Sequence, residues 1–215
     1  MMTSSQVSTN PDINLALKLL APRAAAVKQW SEERAQLKEE RLLAFGVAAE
    51  AASSISLESL LSRCRESDEH SDFAEAVLRM AVAEASRRKT AALGRLLALG
   101  LQEGDAEIDE AWLMLNAVAD LEQPHLRVLR RLHDEGDRYH GVLDTELART
   151  FPNGVALMYP LLKTLERHGL AGPLSGPIES TPDTPVEWAI WDFGVLVLER
   201  LFLCKPATDG SRRCL

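Results

Sequence analysis

The stretch LLKTLERHGL, residues Leu161–Leu170, decides how the second half of the chain is read. Leu161, Leu162 and Leu165 fall on one side of a helix, and Lys163, Glu166 and Arg167 fall on the other. Gly169 is where such a helix ends most easily, because glycine reaches the left-handed conformation of a C-cap without steric cost. Leu170 then begins something short and extended. Working back from it, Asn153-Gly154 is a turn and residues 155–168 form a helix, with Pro160 inside that span placing the start of regular helix near Tyr159. Earlier still, LDTELART is a short helix, and Gln123-Pro124 opens another whose apolar residues are Leu126, Val128, Leu129 and Leu132. Working forward, two extended segments, about 170–174 and 186–191, flank a loop of Pro, Gly, Ser and Thr, and DFGVLVLERLFL is a last helix.

Helix, helix, helix, hairpin, helix across residues 123–203 resembles a winged-helix domain. The helix ending "LE-x-x-GL" before a hairpin carries the resemblance, as does WAIWDFGVLVLERL, which is similar to a common "T-D-x-G" ending with Trp191 in place of Thr. The resemblance implies a third helix in the DNA major groove and a hairpin on the phosphate backbone. The charges point elsewhere. Val155, Ala156, Leu157, Met158 and Tyr159 make the first turns of the third helix apolar, and its cations, Lys163 and Arg167 with His168, sit in its second half. From Gly169 to Glu199 there is no lysine or arginine, while Glu179, Asp183, Glu187, Asp192 and Glu199 are acidic. A phosphate backbone would repel such a hairpin. The nearest basic cluster is Arg127, Arg130 and Arg131, with Arg138 beyond it. It serves either as a contact for phosphate or an acidic partner, or as pairing for Asp120, Glu122, Asp134 and Glu135, and pairing is the preferred reading. Arg87-Arg88-Lys89 carries the same ambiguity.

Residues 12–122 read as a helical bundle. A long helix starts at Pro22 and runs to about Ala52, with Val27, Trp30, Leu37, Ala44 and Val47 at helical spacing. Its charged run SEERAQLKEER reads as a solvated face. A short helix covers about 56–65. The next is expected near Asp72, where Asp72 and Glu75 have capping-box spacing, with Phe73, Val77 and Met80 as its apolar stripe. Leu93, Leu96, Leu97 and Leu101 mark a further helix. Gly104-Asp105 stops it and starts another, carrying Ile108, Trp112, Leu115 and Ala119 on one face. Short connections make this an antiparallel bundle.

Residues 84–132 also resemble uncharacterised helical bacterial and prophage proteins, some of them grouped with abortive-infection factors. Lys89, Leu93, Leu96, Leu97 and Gly100 fill a "K-x-x-x-L-x-x-L-L-x-x-G" pattern, and Leu121, His125, Leu129 and Leu132 fill "L-x-x-x-H-x-x-x-L-x-x-L". The resemblance implies a prokaryotic or phage origin and a regulatory or antiviral-defence setting, without any chemistry.

The remaining features bound the function. The 215 residues suffice for one or two domains without metal or disulfide. The net charge of −8 lowers the prior for nucleic-acid or anionic-membrane partners. Cys64, Cys204 and Cys214 form neither a disulfide framework nor a zinc motif, and Cys64 reads as core filler. His133, Asp134, Asp137 and His140 crowd eight residues but match no ligand spacing. Asp192-Phe193-Gly194 lacks every companion motif of a kinase. No nucleophile–base pair stands out, so no enzyme, cofactor or metal is expected. No signal peptide or membrane span is read either, which makes the cytoplasm the expected compartment.

The sequence therefore predicts a mainly α protein, divided into a polar lead-in (1–11), a helical bundle (12–122), a winged-helix-like domain with a short β-hairpin (123–203) and a tail (204–215). It is expected to act through a protein partner or as a homo-oligomer, with DNA disfavoured. The candidate phosphate or acidic-partner contacts are Arg127, Arg130, Arg131, Lys163 and Arg167. The candidate interface residues are Tyr159, Trp188 and Trp191, because Trp188 and Trp191 lie three apart on a strand and point to opposite faces.

Overall fold

Serines start three of the helices. Ser56, Ser67 and Ser86 each hold their backbone extended and accept, through Oγ, the N–H three residues on: Ser59 at 3.2 Å, His70 at 3.1 Å and Lys89 at 3.3 Å. Each satisfies one of the donors a helix leaves orphaned at its start. The computed structural model describes residues 24–65, 67–101, 105–136, 140–174 and 185–203. The lead-in 1–11, Pro22, Gly104, Asp137, Arg138, most of the Pro/Gly/Ser/Thr loop and the tail from 204, with Cys204 and Cys214, lie outside them. So do the side chains of Val27 and Trp30.

In chain order the elements are α1 (Ala24–Ser53), α2 (Leu57–Ser62) with a 3₁₀ turn (Arg63–Arg65), α3 (Asp68–Ala83), α4 (Arg87–Gly100), α5 (Asp105–Asp120) and α6 (Gln123–Glu135). There follow β1 (Val142–Leu143), α7 (Asp144–Ala148), α8 (Gly154–Arg167), β2 (Ala171–Pro173), β3 (Glu187–Ile190) and α9 (Asp192–Val197), which runs into a π turn (Leu198–Phe202). The protein is mainly α with a small antiparallel sheet near the C-terminus.

Two helix starts are corrected. Helix α3 starts at Asp68, not near Asp72, because Ser67 caps it and Asp68 and Glu69 suit the positive end of the helix dipole. Regular helix in α8 starts at Gly154, not near Tyr159, and runs through Pro160. Ala156 and Pro160 are both exposed, so the proline's missing N–H falls on the solvent side, where water can serve the carbonyl it leaves free. The expected hairpin is present as β2 and β3, with Ala171 opposite Ile190, and β1 adds a third strand, with Val142 opposite Trp188, in the order β1-β3-β2. At two residues, β1 is too short to show alternation.

The opening stretch ends as glycine chemistry requires. Gly169 has φ +67°, its N–H bonds the Glu166 carbonyl at 2.9 Å, and the Leu170 N–H reaches the Leu165 carbonyl at 2.9 Å. This is the Schellman pattern, with Leu165 and Leu170 both fully buried beside it.

The broadest helix contact joins α1 and α4. It depends on Gly94, because a Cβ there would lie 2.2 Å from the Phe45 carbonyl oxygen. From this seam one apolar cluster continues through Leu97, Met114, Leu129 and Leu165 to Phe202. Arg95 seals the far end by donating from Nη1 to the Leu201 carbonyl at 2.8 Å, and Arg200 pairs with Glu110 at 2.7 Å. The elements of 123–203 thus share their core with the helices before them.

Candidate functional site

The inward side of α8 is set by Met158, Leu161, Leu162 and Leu165, all buried. Four-residue steps place Val155, Tyr159 and Lys163 on the outward side. Val155 is 84% exposed and Tyr159 65%, and Leu157 beside them is exposed as well. An apolar outward surface therefore occupies the first two turns of α8, and its cations lie beyond.

Those cations are engaged. Lys163 pairs with Glu166 at 2.5 Å, and its ammonium lies 5.8 Å from the Tyr159 ring centre. The hydrogen bond to Glu166 raises the Lys163 pKa. Arg167 pairs with Asp120 at 2.6 Å, and His168 Nε2 meets the same carboxylate oxygen at 3.0 Å. The His168 hydrogen bond holds the Asp120 carboxyl below the usual carboxylate range; burial opposes it, and the Arg167 charge adds to the lowering. Being solvent-exposed, each such pair is worth about 0–1 kcal/mol.

The arginines of α6 divide. Arg131 pairs with Glu135 at 2.8 Å and donates to the Glu146 carbonyl (2.8 Å) and to Thr150 Oγ1 (2.6 Å), so it ties α6 to the turn after α7. Arg127 lays its guanidinium over the Phe151 ring, 4.7 Å from the centre. Neither Arg127 nor Arg130 forms an ion pair among the described residues, so the pairing expected for this cluster holds for Arg131 alone.

The tryptophans also separate. Trp188 is 6% exposed and belongs to the core, which removes it from the candidate interface. Trp191 is 44% exposed and lies across Gly172 of β2, where any side chain would collide with its ring. Trp112 packs edge-on against Phe73, with ring centres 5.3 Å apart.

Lys89 and His125 have roles that the charge clusters did not reveal. Lys89 is buried while Arg87 and Arg88 are exposed. Its ammonium donates to the Ala119 carbonyl at 3.0 Å and lies 3.3 Å from Glu84 and 3.9 Å from Glu122. The signal was spacing: Lys89 stands four residues before Leu93, in register with the apolar stripe. His125 accepts the Glu122 N–H on Nδ1 at 3.0 Å, so the ring is neutral at that nitrogen, and burial lowers its pKa. Lys89, Asp120, His125 and His168 together form the joint where α4, α5, α6 and α8 meet.

Elsewhere, α1 is exposed at every residue from Glu32 to Glu40, which bears out the solvated charged face but also exposes Leu37 of the expected apolar stripe, as Val47 is further on. Leu61, Cys64, Ala74, Leu78 and Val82 line an open groove of about 530 Å³ between α2 and α3. Cys64 is only half-buried there, and burial raises its thiol pKa. Among the described residues no three His, Cys, Asp or Glu side chains are grouped to hold a metal. His133 meets Asp134 at 3.1 Å and Glu199 at 3.8 Å. No helix among the described residues is long and apolar enough to cross a membrane. No protein family, curated protein or solved structure matches the chain.

Proposed function

We propose that residues 123–203 form a winged-helix-like module that contacts protein rather than DNA, in a non-enzymatic cytoplasmic protein. The prokaryotic or phage regulatory and defence setting rests on the resemblance of residues 84–132 alone. The observation that carries the reading is the outward surface of α8. A DNA-reading helix offers polar or cationic side chains at its first exposed positions. Here those positions are Val155, Ala156 and Tyr159, all exposed. Desolvating such a surface favours association with another protein, and aromatic residues are the side chains most enriched in such contacts.

The second reading, a dimeric DNA-binding regulator, draws support from Arg127 and Arg130, which no carboxylate neutralises among the described residues. Fluorescence anisotropy with mixed-sequence duplex DNA separates the two. The protein-binding reading expects a dissociation constant weaker than about 1 µM at physiological salt. A submicromolar constant with a steep salt slope, weakened by Arg127→Ala and Arg130→Ala, would establish the DNA reading instead.

A further inference from the structure

Two exposed stripes on this chain share one spacing and carry opposite charges at matching ends. On α1, Val47, Leu43 and Glu39 are four residues apart and project away from Ala44, Phe45, Ala48 and Ala49, which are buried. Leu43 is 63% exposed and Val47 49%. On α8, Val155, Tyr159 and Lys163 repeat the same steps on the side opposite the core. Both stripes run from apolar to charged, one ending in a carboxylate and the other in an ammonium.

Resting on the reading of the α8 surface as a protein contact, we propose that its occupant is the α1 stripe of a second copy of this chain, docked antiparallel. In that arrangement Val47 meets Val155, Leu43 meets Tyr159, and Glu39, with Glu40 beside it, meets Lys163. The order of apolar and charged positions selects the antiparallel direction, since a parallel pair would set Glu39 against Val155 and Val47 against Lys163. Lys163 gives up a solvent-exposed pair with Glu166, which costs little. The segment Glu32–Glu40 is exposed on all sides within a single copy. Docking covers Glu39 and Glu40 at the C-terminal end of that segment, where it leads into Leu43 and Val47. Two copies related by a two-fold axis make the contact twice and leave no stripe open.

The test is sedimentation velocity with light scattering on the full chain, with circular dichroism as a check that variants fold. The wild type is expected above the 23.7 kDa monomer mass at tens of micromolar. Leu43→Asp and Val155→Asp, both at exposed positions, should each weaken association about a hundredfold by burying a charge in the contact. Lys163→Glu, and Glu39→Lys with Glu40→Lys, should each weaken it about tenfold by opposing like charges. Mixing those two charge variants should restore it, because every contact in the mixed pair is then matched. A strictly monomeric wild type at about 100 µM overturns the proposal while leaving a different protein partner for α8 open. Association unmoved by Val155→Asp, as an α1-to-α1 contact would give, also overturns it, and so does a mixture that stays dissociated. Tight, salt-sensitive duplex binding would defeat the underlying reading instead, and anisotropy reads that separately.

Discussion

Replacing Gly94 by alanine sets helix propensity against packing at the α1–α4 seam. In a helix interior, alanine is preferred over glycine by about 1 kcal/mol. At Gly94 the new methyl would lie 2.2 Å from the Phe45 carbonyl oxygen, 3.0 Å from its carbonyl carbon and 3.2 Å from the Ala49 nitrogen. All three atoms are backbone, so no rotamer change relieves the clash and the two helices must move apart by about 1 Å, given ordinary contact distances. Overpacking a well-filled core costs about 1–3 kcal/mol, and separating the broadest helix contact in the fold belongs at the upper end. The net expectation is a loss of about 2 kcal/mol. For a chain of this size that lowers Tm by about 4–8 °C. Gly46, in α1, is the internal control: its added methyl would meet only Leu57 Cδ2 at 3.5 Å, an ordinary contact. Gly46→Ala should therefore stabilise by about 0.5–1 kcal/mol. Thermal and urea denaturation followed by circular dichroism would measure both. If Gly94→Ala proves as stable as the parent, or the two variants shift in the same direction, the backbone-contact argument fails.

Other expectations concern the joint and the third helix of the C-terminal half. Because burial lowers the folded pKa of His125, its contribution is complete above the ordinary imidazole value of about 6.5 and is lost as pH falls below it. The stability of the parent should accordingly fall more steeply than that of His125→Asn between about pH 7 and pH 5, in urea titrations at each pH. Parallel slopes would show that His125 is not the group responsible. Lys89→Ala should cost about 2–4 kcal/mol, because it deletes buried packing and leaves the Ala119 carbonyl and Glu84 without their cation. A loss under about 0.5 kcal/mol, the usual surface range, would place the ammonium in solvent. Leu165→Ala should cost about 2–5 kcal/mol at a fully buried site, whereas Val155→Ala should stay within about 0.5 kcal/mol. Comparable losses at the two positions would contradict the assignment of inward and outward sides of α8.

Helices with a strong apolar stripe and a chemical stop were legible from the sequence. Leu161, Leu162 and Leu165 with Gly169 gave both the inward side of α8 and its Schellman end, and Leu126, Leu129 and Leu132 gave that of α6. What escaped was decided by contacts distant in the chain. Strand β1 exists because Val142 and Leu143 meet Trp188 and Glu187 more than forty residues later, and two residues carry no periodicity of their own. Three adjacent basic residues, Arg87, Arg88 and Lys89, look alike as charges, yet only the one in register with Leu93 turns inward. The candidate site was partly readable in the same sense. The apolar start of α8 is visible as VALMY, and the absence of cations from Gly169 to Glu199 is plain. The alternation read from the sequence separated Trp188 from Trp191 without saying which faced the core; Trp188 joins the apolar cluster, and Trp191 lies past the end of β3, at the start of α9. Arg127 found an aromatic ring instead of a carboxylate, and sequence proximity to Asp120 and Glu122 could not foretell that.

The short sheet also governs how the molecule meets its neighbours. Open strand edges invite other chains to add on by backbone pairing, a route to aggregates. Of the two outer strands here, β1 passes into α7 after two residues, and β2 ends at Pro173, which has no N–H to offer. Neither edge can extend a ladder of useful length, so crowding the protein should not convert it into cross-strand fibres through this sheet. Among the described residues, any contact between copies would then fall to helix surfaces, where a single charge substitution can tune or abolish it.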